Sequence, residues 1–263
     1  MKFQFKPCKM EDINLLMQEY INTLSSPFDS FLDDHIVASE FYLITDTIDS
    51  IGYCAIYEGK LLTQFYISFK YLKYGQDIFK SILKEFTIES AFVTTSDELL
   101  LSLALDQSEI VKKQAYFFQD NKEVDTSVKL YKNGDFRIAN KEDISEIKKV
   151  SGDFFDKLEE QVDNNQIFIF TEDNILLGAG IIEKGRVLKG FTSIGMYTNE
   201  LYRRKGIGRT IIFNLKKWCY ENNQIPICGC WYYNENSKMT LESVGFVTKT
   251  RLLSIEFTDD ARE

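Results

Sequence analysis

Residues 193–218, SIGMYTNELYRRKGIGRTIIFNLKKW, decide the reading of this chain. A short apolar stretch enters a basic, glycine-punctuated turn, Arg203-Arg204-Lys205-Gly206-Ile207-Gly208. An amphipathic helix follows, with Ile207, Ile211, Ile212, Leu215, Trp218 and Cys219 at helical spacing. A helix that opens on such a turn presents unpaired backbone N–H groups and a partial positive charge. Glycine allows the main chain to wrap close to an anion, because no Cβ intervenes. The stretch therefore reads as a seat for phosphate or pyrophosphate. Its spacing is neither G-x-x-x-x-G-K-[ST] nor G-x-G-x-x-G, so the nucleotide-hydrolase and dinucleotide fingerprints are absent.

Working outward, Ile225–Tyr233 (IPICGCWYY) reads as a strand, and Asn234-Glu235-Asn236-Ser237 as a capping turn with Asn236 or Ser237 at the N-cap. A short helix then ends before Gly245-Phe246, and VTKTRLLSIEF (247–257) is the last strand. Upstream, FRIANKEDISEIKKV (136–150) reads as a strand and helix, and IFIFTEDN (167–174) with LLGAGIIEK (176–184) as a hairpin.

The R-x-x-G-x-G turn and this order of elements resemble the GNAT superfamily of acyl-CoA-dependent N-acyltransferases over residues 136–257. The resemblance implies an α/β (α+β) fold, a mixed and mostly antiparallel sheet flanked by helices. It implies acetyl-CoA as co-substrate, no metal, and a small-molecule primary amine as acyl acceptor. The pyrophosphate would lie on the main chain of Arg203, Arg204, Lys205, Gly206, Ile207, Gly208 and Arg209, and backbone N–H groups of Met196, Tyr197 and Thr198 would polarise the thioester carbonyl. Asn234 and Ser237 would sit beside the pantetheine arm. Many members carry a tyrosine four residues before the Gly-Phe glycine; here that position is Leu241. Either Tyr197, Tyr232 or Tyr233 then supplies the acid or the thiolate leaves unassisted, and Glu183, at a strand end, is the carboxylate available as base.

The first half echoes the second. FKPCKMEDI (5–13) aligns with FRIANKEDI (136–144), and FYLITDTIDSIGYCAIYEG (41–59) with IFIFTEDNILLGAGIIEKG (167–185). QFYISFKYLKYGQDIFKSILKEF (64–86) parallels the anion-turn segment, with Lys70 and Lys73 opposite Arg203 and Gly206 and only Gly75 kept, opposite Gly208. The expectation is a tandem protein. Residues 1–130 would form a degenerate GNAT-like domain, residues 131–263 an acyl-CoA-binding one, and 119–135 the linker.

Composition restricts the partners. A net charge of −9 disfavours nucleic acid as the main partner, because phosphate neutralisation needs a basic face. It suits a cationic acceptor, and equally a protein whose acidic surface serves solubility. The absence of a long apolar run or signal-peptide core leads to the expectation of a cytoplasmic protein without a membrane partner. Five cysteines without framework spacing and a single histidine, His35, read as reduced thiols and a structural or surface imidazole. A homodimer is also expected. Two further readings stay open: a non-catalytic acyl-CoA-binding protein, and an aminoacyl-tRNA-dependent transferase, since those enzymes also pair two GNAT-like halves.

Overall fold

A computed structural model describes residues 3–46, 49–122 and 129–258; part of the expected linker lies outside them. The first half runs β1 (Gln4–Cys8), α1 (Asn14–Thr23), α2 (Ser30–Val37), β2 (Glu40–Thr45), β3 (Ser50–Tyr57), β4 (Leu61–Ile67), α3 (Gly75–Glu85), β5 (Ser90–Thr94), α4 (Glu98–Asp106) and β6 (Ser108–Asp120). The second half repeats that order: β7 (Asp135–Ile138), α5 (Ile144–Ser151), α6 (Leu158–Asp163), β8 (Ile167–Glu172), β9 (Ile175–Lys184), β10 (Phe191–Thr198), α7 (Ile207–Glu221), β11 (Ile225–Trp231), α8 (Glu235–Glu242) and β12 (Phe246–Phe257). The hairpin expected at 167–184 is β8–β9, turning through Asp173 and Asn174 with φ of 49° and 63°, values that Asp and Asn tolerate.

The two half-sheets are one. All twelve strands lie in the order β1-β2-β3-β4-β5-β12-β6-β11-β10-β9-β8-β7. The final strands of the halves are exchanged at the centre. β12 inserts antiparallel between β5 and β6, and β6 antiparallel between β12 and β11. The cores follow the exchange. Ile255 and Phe257 of β12 are buried with Ile78, Phe79 and Ile82 of α3, whereas Tyr116 and Phe118 of β6 are buried with Ile211, Ile212 and Leu215 of α7. Alternating apolar residues on each exchanged strand thus bury one face against the opposite half.

A buried ion pair closes this junction. Lys216 of α7 meets Asp120, the last residue of β6, at 2.6 Å, with both side chains about 5% exposed or less. Lys216 also donates to the Val244 carbonyl at 3.1 Å, and Tyr220 donates to Asp120. Removal of either charge would strand the other in a site of low polarity.

Candidate active site

The site begins where two parallel strands part. β10 and β11 pair only at Phe191↔Ile225, Thr192↔Pro226 and Ser193↔Ile227. β10 then continues to Thr198 and β11 to Trp231 without pairing to each other, which leaves a wedge edged by main-chain polar groups. Unpaired strand edges of this kind offer N–H donors to a ligand. The first half opens in the same place, with β4 and β5 pairing only at Leu61↔Ser90 and Leu62↔Ala91.

The basic turn stands at the head of the wedge. Gly206 is the N-cap of α7 with φ 85°, and Arg204 has φ 63°, so two left-handed residues fold the chain back before the helix starts. Such a turn aims successive N–H groups into one concavity. Gly208 packs against the end of β10: a Cβ there would come within 2.9 Å of Thr198 Oγ1. Met196 and Thr198 share the α7 face with Gly180 and Gly178, their partners on β9, where a Cβ would strike Ile211 or Leu215. The basic side chains do not act alike. Arg203 turns to Glu200 at 3.0 Å, and Arg209 to Ser243 at 2.9 Å, while Lys205 lies over the Tyr202 ring. Arg204 and Lys205 make no ion pair among the described residues.

The turn after β11 differs from the sequence reading. The N-cap of α8 is Asn234, whose side chain accepts from the Ser237 N–H at 3.1 Å; neither Asn236 nor Ser237 caps. The strand ends at Trp231, and an Asx turn at Asn234 starts the helix two residues earlier than a cap at Asn236 allows. Asn234 and Ser237 stand at the far lip of the wedge. Leu241 is fully buried on the core face of α8.

On the opposite face of the sheet lies a cavity of about 250 Å³, and residues of both halves line it. Glu183 of β9 pairs with Ser193 of β10, which pairs with Ile227 of β11, so all three share this face with Gly229. The first half supplies the loop before α2. The Ser30 N–H donates to Ser193 Oγ at 2.7 Å, and Asp29, the N-cap of α2, lies directly over Gly229. A Cβ on Gly229 would come within 1.8 Å of Asp29 Oδ2, so any larger residue there would displace the Asp29 carboxyl. Asp33 accepts from the Val187 N–H at 2.9 Å and from Arg186 Nε at 3.1 Å, which clamps α2 to the β9–β10 hairpin. Arg186 also pairs with Asp34.

Two carboxyls in this cavity are electrostatically unusual. Desolvation pushes Asp29 up to about 7, opposed by the Leu32 N–H and reinforced by Glu183. Burial likewise raises Glu183, with Asp34 adding to the effect and Arg186 opposing it. A carboxyl poised near neutrality can take a proton from an amine without being permanently protonated itself.

The structure thus brings Glu183 into the cavity and adds Asp29, which the sequence reading missed. It does not bring in the three tyrosines, Tyr197, Tyr232 and Tyr233. The Tyr197 hydroxyl donates to the Val150 carbonyl at 2.9 Å and its ring packs on Phe154, so this hydroxyl is committed to holding α5. Tyr233 is 60% exposed against Trp231 and Tyr232, and it lines no part of the cavity. Tyr232 stacks on Tyr116. His35 is packed among Phe31, Tyr57 and Phe92 with Nδ1 2.7 Å from the Phe31 carbonyl, a structural placement. Among the described residues no cluster of three metal-ligating side chains occurs, and no helix is long and apolar enough to cross a membrane.

The fold finds counterparts in known proteins. A family model described as an acetyltransferase (GNAT) domain matches residues 9–121. A GNAT-family acetyltransferase from Colwellia psychrerythraea superposes with a TM-score of 0.86 at 18% identity, covering 98% of this chain and 100% of that one. The chain has the tandem GNAT fold. A tandem GNAT protein from the clavulanic acid biosynthesis pathway aligns with a TM-score of 0.63 at 8% identity, over 97% of this chain and 98% of that one. A GCN5-related N-acetyltransferase from Sphaerobacter thermophilus gives 0.70 at 9% identity, over 97% and 95%. No curated protein sequence matches. The family model falls on the first half, although the more complete anion turn lies in the second. The family model that matches residues 9–121 and the fold support acyl transfer as the class of chemistry.

Proposed function

We propose that the protein is an N-acetyltransferase that moves an acetyl group from acetyl-CoA to a primary amine of a small cationic molecule. The observation that carries this reading is the continuity of the site. The anion turn heads the wedge between β10 and β11, and the wedge leads to the two-carboxyl cavity on the other face. In this reading the N–H groups of Arg203 through Arg209 hold the pyrophosphate, and the pantetheine arm runs along the open edge of β10. The backbone of Met196, Tyr197 and Thr198 borders the thioester.

An amine reaching the cavity arrives as an ammonium, which cannot attack a carbonyl. Asp29, with Glu183 beside it, takes that proton. The neutral nitrogen then bonds to the carbonyl carbon, open N–H groups of the wedge stabilise the oxyanion, the nitrogen gives up its second proton to solvent, and the C–S bond breaks. With Leu241 where a tyrosine is usual, coenzyme A leaves as the thiolate, a tolerable leaving group at a thiol pKa near ~8.5.

Leu241 equally favours a second reading, a non-catalytic acyl-CoA-binding protein. One assay separates them: acetyl-CoA turnover followed by a thiol reagent against polyamines, aminoglycosides and amino acids. Thiol release that depends on a cationic amine supports the enzyme. Tight acetyl-CoA binding with no release across the panel supports the binding protein.

A further inference from the structure

The wedge of the first half is not a second acyl-CoA site. No residue of 68–75 has positive φ, and the chain passes from a short 3-10 helix directly into α3, so the anion concavity is missing. Lys70 is turned to Asp49 at 3.3 Å, and Lys73 lies over the Tyr74 ring. Yet the wedge is not filled. A cleft of about 340 Å³ remains between the end of β4 and the start of α4, within the size range of small-molecule sites. Tyr20, Tyr66, Phe69, Leu72 and Leu99 form its apolar wall. Phe69 is 88% exposed, an unusual state for a large apolar side chain beside a cleft.

Its polar residues have one sign. Asp97 and Glu98 line the cleft, no basic residue does, and Glu19 adds a third carboxylate by accepting from the Tyr66 hydroxyl at 2.9 Å. Asp97 is the informative one. It is 3% exposed; Oδ1 caps α4 by accepting from the Leu100 N–H at 3.0 Å, while Oδ2 is buried without a partner at full hydrogen-bond geometry and has only the Tyr20 hydroxyl near it. The second half places Asn234 at the same point of its fold, capping α8 in the same way. Asparagine caps a helix as well as aspartate does. Capping therefore does not account for a buried carboxylate that has no cation beside it and only the Tyr20 hydroxyl near its second oxygen. Burial raises its pKa to about 6, so it still carries its charge at neutral pH.

We infer that this first-half cleft binds a small organic cation, an ammonium on an aromatic or aliphatic body, with the charge held by Asp97 and the body against Tyr20, Tyr66 and Phe69. A carboxylate beside aromatic faces is the chemistry that selects an ammonium over a neutral or anionic relative.

The test titrates the full chain calorimetrically with 2-phenylethylamine, 2-phenylethanol and phenylacetate, and locates binding by hydrogen exchange. Saturable amine binding is expected, with protection at residues 65–72 and 97–100, and the alcohol at least about tenfold weaker. Asp97→Asn keeps the cap and should weaken the amine at least about tenfold while erasing its preference over the alcohol. Phe69→Ala, a surface change that cannot unfold the chain, should also weaken it. Asp29→Asn, in the other cavity, should leave the amine-dependent protection at 65–72 and 97–100 in place. No saturable amine binding, equal affinity for the alcohol, or parent-like binding by Asp97→Asn would overturn the inference. Binding lost in Asp29→Asn instead would overturn it by placing the amine in the acyl-acceptor cavity. Should Asp97→Asn fail to fold, parent-like binding by Phe69→Ala overturns it.

Discussion

Asp29→Asn should make the protein more stable and less active. Asparagine retains the N-cap of α2, so the substitution removes a charge and little else. Asp29 sits at about 7 against an ordinary value of 3.8, because the folded protein desolvates its carboxylate. Between pH ~4 and ~7 the folded state therefore holds a proton that the unfolded state has released. Stability falls as pH rises through that window and stays lower above it. About three pKa units at 1.36 kcal/mol each set an upper bound near ~4 kcal/mol, and solvent in the cavity reduces this to roughly 1–2 kcal/mol. At pH 8 the variant should melt about 2–8 °C above the parent, and the two should converge near pH 4. As proton acceptor, Asp29 should also be worth about 10²–10⁴ in kcat/KM, and the parent rate should climb with pH to a plateau above ~7. Melting curves at pH 4, 6 and 8, beside thiol-release assays, measure both effects. A variant less stable than the parent at pH 8, or one that turns over within a fewfold of it, would refute the reasoning.

Gly206→Val places a β-branched residue at φ 85°, which should cost roughly 1–2 kcal/mol of stability and weaken acetyl-CoA at least about a hundredfold through two lost charge-assisted hydrogen bonds. The matching Lys73→Val should leave that affinity unchanged; calorimetry on both variants decides. Acetyl-CoA should bind at one site per chain, protecting 203–209 and not 70–75 from hydrogen exchange; two equivalent sites would contradict this. Leu241→Ala should destabilise by about 2–5 kcal/mol in denaturant titrations without altering the pH profile of any activity. Lys216→Met should cost about 3–5 kcal/mol by leaving Asp120 buried and unpaired, measured the same way.

The anion turn was legible because its signal is local. Only glycine adopts φ 85° at little cost, and an apolar 3.6-residue repeat marks the helix behind it wherever that helix packs. Strand partnership has no such local mark. The alternation along β12 is the same whether its buried face meets its own half or the other, so the exchange with β6 was not readable. Asn234 was passed over as cap because Asn236 and Ser237 satisfy the same rule, and only the end of β11 chooses among them. Asp29 in SPFDSFLDD looks like any helix cap; its desolvation depends on a residue two hundred positions away. One signal could have prompted the search. Gly229 is the one glycine in an otherwise side-chain-bearing strand, and a glycine there often marks the close approach of another group.

The exchange explains why a half without an anion turn persists beside one that has it. Without β6, β12 loses one of its two neighbours and β11 is left as an edge; without β12, the α3 core is opened at Ile255 and Phe257. Neither half completes its sheet alone, so the first cannot erode without unfolding the second. The same junction fixes position as well as stability. β6 registers on β11 from Ile227↔Gln119 to Trp231↔Ala115, and Gln119 in turn donates to Ser26 Oγ at 3.2 Å, just ahead of Asp29. The Asp33–Arg186 clamp holds the other side of that loop. Asp29, the proton acceptor of the proposed reaction, is thus carried by a loop pinned on one side by the exchanged strand β6 and on the other by Arg186 of the second half. The first half's lack of an anion turn leaves this arrangement intact, because none of the residues that build it belongs to segment 68–75.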